Sequence, residues 1–224
     1  THCISSAASD VYKRQVLHRI LSSIRKHTQD RVIIVSNFTS TLNLLQRYCV
    51  RQKFPFLRLD GRTKADVRSK MVNEFNSDSG SDHLGKQPFV FLLSSKSGGV
   101  GLNLIGANRL ILFDSDWNPA TDRQAMARIH RDGQLKPCFI YRLLLVGSMD
   151  EKIYQRQITK IGLSDSLMSN EAAKDHDVAS SSDTFSQEEL RDVFGYHPNT
   201  TCLTHDLLGL SLIHISEPTR QEAI

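Results

Sequence analysis

The run Gln124-Ala125-Met126-Ala127-Arg128-Ile129-His130-Arg131-Asp132-Gly133-Gln134 sets two arginines three residues apart. On a helix that spacing is about one turn, so both guanidinium groups can leave the same face. A guanidinium cannot be deprotonated and offers a planar fork of donors. A pair aimed across a cleft can therefore hold the charge that develops on a transferring γ-phosphoryl group. Taken alone, such a pair is more often a solvated helix face, since surface arginines are common. Its neighbours in the sequence reverse that balance.

About thirty residues upstream, the apolar run Phe89-Val90-Phe91-Leu92-Leu93 leads into Ser94-Ser95-Lys96-Ser97-Gly98-Gly99-Val100-Gly101-Leu102-Asn103-Leu104. Here a strand enters a glycine-rich turn. Glycines let the backbone approach phosphates closely and present its amide donors, while Ser95 and Lys96 add a hydroxyl and a positive charge. The bland alternative is an ordinary strand-to-helix connection. A second apolar run, Leu110-Ile111-Leu112-Phe113, ends in Asp114-Ser115-Asp116-Trp117-Asn118-Pro119. Nearer the start lie Arg31-Val32-Ile33-Ile34-Val35-Ser36-Asn37-Phe38-Thr39 and Leu59-Asp60-Gly61-Arg62-Thr63. In open α/β sheets, strand ends of this kind carry the chemistry.

The elements that position these residues alternate. Leu17, Ile20, Leu21 and Ile24 recur at helical spacing and give way near Thr28-Gln29-Asp30 to a strand over 31–36. Thr39 is placed to cap a helix bearing Leu42, Leu44, Leu45 and Tyr48, and a short strand follows over 56–59. Thr63 opens a third helix with Val67, Met71, Val72 and Phe75 inward, and residues 76–87 read as a solvent loop. After the arginines, residues 139–145 supply another strand. Ser148 with Glu151 then has the form of a capping box. Strands alternating with helices imply a parallel sheet covered on both faces. From Ser164 to Asp183 the chain is polar and reads as a flexible linker, before a short helix signalled by Ser186, Glu189 and a staple of Phe185 on Leu190.

The two ends are related at the level of DNA. Asp10-Val11-Tyr12-Lys13-Arg14-Gln15 can be written GAT GTG TAT AAG AGA CAG, whose reverse complement translates as Leu-Ser-Leu-Ile-His-Ile, the residues at 210–215. Residues 1–15 and 210–224 are therefore expected to be translated sequencing adaptor, flanking a reading frame cut at both ends. The net charge of +4 permits nucleic acid without demanding it. Cys49, Cys138 and Cys202 have no paired spacing, as in a reducing compartment. His197, Cys202 and His205 lie close together, but without a Cys-x-x-Cys pair they make a weak zinc set, and no metal site is assigned. No apolar run reaches membrane-spanning length.

Taken in order and spacing, these segments resemble the second motor lobe of the SWI/SNF-like superfamily-two DNA translocases, over about residues 16–157. Within that family Ile140-Tyr141-Arg142-Leu143-Leu144 and Asp150-Glu151-Lys152-Ile153-Tyr154-Gln155-Arg156-Gln157 are similar to the recombination translocases of the Rad-fifty-four type. Cys202-Leu203-Thr204-His205-Asp206-Leu207-Leu208 resembles the B-type paralogue. Two positions depart from the pattern: Ser97 stands where alanine is usual, and His130 where the recombination members carry tryptophan and many remodelling members histidine.

The resemblance implies a RecA-like α/β lobe over 16–163, with a parallel sheet and helices on both faces, then a flexible C-terminal appendage of linker and short helix over 164–209. It implies that Arg128 and Arg131 act on ATP and Mg²⁺ held mainly by a first, N-terminal motor lobe, that Gln124 helps orient the site, and that the Gly99 to Gly101 backbone approaches the nucleotide. Double-stranded DNA would be tracked by Asn37, Thr39, Arg62, Thr63, Ser95, Lys96, Trp117 and Asn118. For Asn37 and Thr39 helix capping is the competing role, and for Trp117 an aromatic plug against the sheet. No Gly-x-x-x-x-Gly-Lys-Ser/Thr loop occurs, so the chain alone is expected not to hydrolyse ATP. A nuclear role in homologous recombination and repair follows, with a recombinase filament as a possible partner. A nucleosome-remodelling motor lobe and a non-catalytic nucleic-acid-binding module of the same fold are the alternatives.

Overall fold

Val32, Ile33, Ile34 and Val35 are almost wholly withdrawn from solvent, and the rest of the fold is arranged to keep them so. The structure is a computed structural model and describes residues 6–77, 87–98, 101–169 and 204. In chain order its elements are α1 (Ser6–His27), β1 (Val32–Ser36), α2 (Thr39–Arg51), β2 (Phe56–Leu59), α3 (Ala65–Asn76), β3 (Val90–Ser94), β4 (Arg109–Leu112), α4 (Pro119–Met126), β5 (Phe139–Arg142) and α5 (Met149–Ser169). A single 3-10 turn, Ser95–Gly98, follows β3. The chain divides into two compact units, residues 1–144 and 145–224.

The first unit is a five-stranded, wholly parallel sheet of order β2-β3-β1-β4-β5. Side chains alternate across it, so each face builds its own core. On one face Val32, Ile34, Val90, Leu92 and Ile111 pack with Leu17 and Leu21 of α1 and Leu42, Leu45 and Cys49 of α2. On the other, Ile33, Val35, Phe91, Leu93, Leu110 and Leu112 pack with Phe75 of α3, Ala125 of α4 and Leu102, Leu104 and Ile129 from the connections. The chain first moves outward from β1 to β2 through α2, then reverses through α3. A change of direction with a change of face is what a uniform crossover hand demands.

Several local expectations need correction. α1 begins at Ser6, so the helix runs through the segment ascribed to adaptor. Lys13 is buried, donates to the Phe113 carbonyl at 3.1 Å and lies 5.7 Å from the Phe113 ring centroid. Helix propagation is cheap once nucleated. Thr39 and Thr63 do not cap: the residues preceding α2 and α3 are Phe38 and Lys64, neither with a side-chain capping bond, and the Thr63 hydroxyl is used by the Asp60 amide at 3.2 Å. In the second unit α5 continues to Ser169, past the expected linker start at Ser164. The capping box there is displaced by one residue: Ser148 Oγ accepts from Asp150 N at 3.3 Å, while Glu151 reaches back to Gly147 N at 2.7 Å. The other Glu151 oxygen accepts from both the amide and the hydroxyl of Thr204, at 2.7 and 2.9 Å. The expected helix near 186–190 lies outside the described residues.

Two contacts fix the long connections to the sheet. Arg31 donates to the carbonyls of Phe75 and Ser77 and to Gln87 Oε1, bracketing residues 78–86. Asn76 grips the 101–107 connection, donating to Asn103 O at 2.7 Å and accepting from Gly106 N at 2.9 Å. A Cβ on Gly106 would stand 2.4 Å from Phe75 O and 2.8 Å from Asn76 Cα, both backbone atoms. Gly106→Ala is therefore expected to cost about 1–3 kcal/mol, seen as a lower urea midpoint at unchanged slope. An unshifted midpoint would show that the two segments separate freely.

Candidate nucleotide and nucleic-acid site

Because the sheet is wholly parallel, every strand ends at one edge, and the residues singled out in the sequence collect there. Across neighbouring strands, in sheet order, lie Asp60 to Thr63 after β2, Ser95 and Lys96 after β3, Asn37 to Thr39 after β1, and Asp114 to Asn118 after β4. Arg62, Lys96, Thr39 and Asn118 are exposed; Asn37, Thr63 and Ser95 are half-buried. Trp117 is 37% exposed, so part of its ring reaches solvent at this edge.

Each turn is held by its own hydrogen bonds. Asp60 Oδ1 accepts from Arg62 N at 3.0 Å, and its other oxygen pairs with Arg58 at 3.0 Å. Asn118 is the cap of α4, accepting from Ala120 N at 3.0 Å, with Pro119 beginning the helix where no amide donor is needed. Asp122, buried in α4, pairs with Arg142 of β5 at 3.2 Å. Ser97, the departure from the family pattern, is buried and donates to Ser94 O at 2.8 Å and Leu59 O at 3.4 Å. Its hydroxyl therefore stitches the turn to the neighbouring strand. Ser95 Oγ and Ser115 Oγ are shielded from solvent and have no hydrogen-bond partner.

Asp114 is the organiser that the sequence reading missed. It accepts from Asn37 N at 2.6 Å and from the Ser36 hydroxyl, joining the ends of β4 and β1 and fixing the turn that presents Asn37, Phe38 and Thr39. Ser36 Oγ in turn accepts from Phe38 N at 3.2 Å. A carboxylate directly after an apolar strand was the available signal. Phe38, 59% exposed at this edge, and Lys64, exposed beside Thr63, were also passed over.

The arginine pair is built differently from expectation. α4 ends at Met126, so Arg128 and Arg131 sit in a series of tight turns beyond it, with Arg128 N bonded to Ala125 O and Ile129 N to Met126 O. The two side chains still interact: the Arg128 guanidinium is held below its ordinary range by burial first and by the charge of Arg131 second. Arg131 is exposed and donates to Gly101 O at 2.9 Å, while Leu104 N donates to Arg128 O at 3.1 Å. The arginine turn and the end of the glycine-rich segment are thus joined at both arginines. Gln124 is exposed on α4. Gly99 lies outside the described residues, as do His197, Cys202 and His205. Among the described residues no group of His, Cys, Asp or Glu has metal-binding geometry, and no helix is long and apolar enough to cross a membrane.

Residues 12–133 match the model of the helicase conserved C-terminal domain. The chain is 47% identical over 196 residues to the DNA repair and recombination protein RAD54 of Oryza sativa subsp. japonica, covering 88% of this chain and 19% of that protein. It is 45% identical over 215 residues to the DNA repair and recombination protein RDH54 of Saccharomyces cerevisiae, covering 93% and 22%. The chain thus spans about a fifth of the length of the curated relatives it matches. Among solved structures it is similar to the C-terminal part of the Fun30 ATPase domain, with a TM-score of 0.59 and 39% identity over 65% of this chain and 45% of that one.

Removing the Asp114 carboxylate leaves the Asn37 amide and Ser36 hydroxyl without their acceptor. Asp114→Ala is expected to destabilise the chain by about 1.5–3 kcal/mol in chemical denaturation, with Asp114→Asn costing less because it keeps an acceptor oxygen. Equal stability of all three proteins would show that the β1–α2 turn stands without this bond.

Proposed function

Since the chain belongs to the helicase conserved C-terminal domain family, we propose that it is the second motor lobe of an ATP-dependent translocase on double-stranded DNA, working in homologous recombination and repair. The observation that carries this reading is the arginine pair joined to the glycine-rich segment at Gly101. Burial and the charge of Arg131 both disfavour the charged Arg128 guanidinium, and a polyphosphate brought against the pair would favour it. ATP and Mg²⁺ would be held mainly by a first lobe, since this chain has no phosphate loop. Bound there, they supply the phosphoryl group to be transferred. This chain contributes Arg128 and Arg131 as charge stabilisers, with Gln124 and the Gly99 to Gly101 backbone beside them.

The strand-end edge suits the second half of the work. Neighbouring strands lie about 4.8 Å apart, so the four turns from β2 to β4 span about 14 Å, roughly the rise of four base pairs along a DNA axis. Arg62, Lys96, Thr39 and Asn118 present cations and small polar groups along that line, with Asn37 and Thr63 between them and Trp117 at one end, while the Ser95 hydroxyl, shielded in this structure, would have to turn outward to join them. Contacts of this kind track phosphates without reading bases. DNA and nucleotide then meet through one connection, which begins at Ser95 and Lys96 and reaches the arginines at Gly101 and Leu104. The roles in DNA repair and recombination that the relatives' names give them favour the nucleus as the site of action and a recombinase filament as a partner.

Two outcomes test the reading. The chain by itself should show no DNA-stimulated ATP turnover; robust turnover would refute the division of labour between lobes. In the two-lobed protein, Arg131→Lys keeps the charge and loses the fork, so kcat should fall by roughly a hundredfold or more while nucleotide affinity moves by less than about half a kcal/mol. Arg128→Lys should behave alike. Near-normal kcat in both would leave a non-catalytic binding module as the better account.

A further inference from the structure

The side chain of Gln134 is the most heavily used polar group around the arginine turn, and neither arginine chemistry nor DNA contact accounts for it. Its amide nitrogen lies 2.8 Å from Ala107 O, 3.2 Å from Ile105 O and 3.3 Å from Ile129 O. Its amide oxygen accepts from Lys136 N at 3.1 Å, which fixes which end of the amide faces the carbonyls. Its backbone amide donates to Arg131 O at 3.1 Å. Gly133, immediately before it, has φ +95°, a conformation that favours glycine. Ile129, one of the three residues so bonded, is fully buried in the core and lies between Arg128 and Arg131 in sequence.

We propose that Gln134 is a positioning residue for the arginine pair. One side chain bonds the arginine turn at Ile129 and the glycine-rich connection at Ile105 and Ala107. It thereby sets the distance between the two strips of backbone that Arg131 and Leu104 also bridge. An amide suits this place because it supplies two N–H donors and no charge next to a buried guanidinium already held below its ordinary range. A glutamate would keep the acceptor for Lys136 N and turn a carboxylate toward three carbonyls. A methionine would keep the volume and donate nothing. Placement matters because a charge stabiliser displaced by about 1 Å can lose about a hundredfold in rate. The inference rests on the arginine reading above, so the two must be separable.

The test compares Gln134→Met and Gln134→Glu with Arg131→Lys. In the two-lobed protein both Gln134 variants should lower DNA-stimulated kcat by about a hundredfold with nucleotide and DNA affinities unchanged within about threefold. In this chain, well below the melting temperature, amide exchange at Leu104, whose N–H is bonded to Arg128 O, should quicken by about tenfold, and exchange in β1 and β3 should not change. Arg131→Lys should reproduce the loss of kcat and leave Leu104 exchange near normal. Three results would overturn the inference. Wild-type kcat and Leu104 exchange in the Gln134 variants, beside an inactive Arg131→Lys, would remove the positioning role alone. A parallel fall in melting temperature, both affinities and sheet protection would make Gln134 a general structural residue. Normal turnover in Arg131→Lys would remove the arginine reading and this one with it.

Discussion

The parallel pairing of β1 with β3 on one side and β4 on the other is the constraint from which the rest of the molecule follows. A central strand dry on both faces must be covered twice, which places α1 and α2 on one side and α3 and α4 on the other. Parallel order also forces every strand to end at the same edge. The strand-end turns are therefore gathered by topology before any of their side chains is chosen, and small local bonds such as those of Asp60, Asp114 and Asn118 need only set the details.

The arginine turn shows how such a scaffold tolerates an unfavourable arrangement. Arg128 is buried, and the charge of Arg131 adds to burial in disfavouring its charged form. The surrounding backbone is correspondingly over-determined: Leu104, Gly101, Gln134 and the glycine conformation at Gly133 all hold the same few residues. A turn held at this many points has little freedom to reorganise.

The regular elements were legible because their signals are periodic. The apolar strands and the helical spacing of Leu17, Leu21 and Ile24 or of Leu42 and Leu45 put the core on the page before any coordinates. Strand-end turns were legible as places, since a strand running into polar and glycine residues has few other meanings. Their internal bonding was not: Thr39 and Thr63 satisfied a capping pattern that Phe38 and Lys64 occupy without a side-chain bond, because the threonine hydroxyls had other uses or none at the helix end. The arginines were found as a pair on helical spacing, although the helix stops at Met126. Asp114 and Gln134 escaped notice because their importance lies in partners far away along the chain, which no local pattern encodes.

Arg31 has a bearing on how a lobe of this kind can change with time. By binding Phe75, Ser77 and Gln87 together it closes the neck of the excursion between α3 and β3 beside the first residue of the sheet. Lengthening a closed loop raises its entropy cost only logarithmically, about 0.6 kcal/mol for each doubling. Length can therefore change between Ser77 and Gln87 at little cost, with the end of α3 and the start of β3 held together by Arg31.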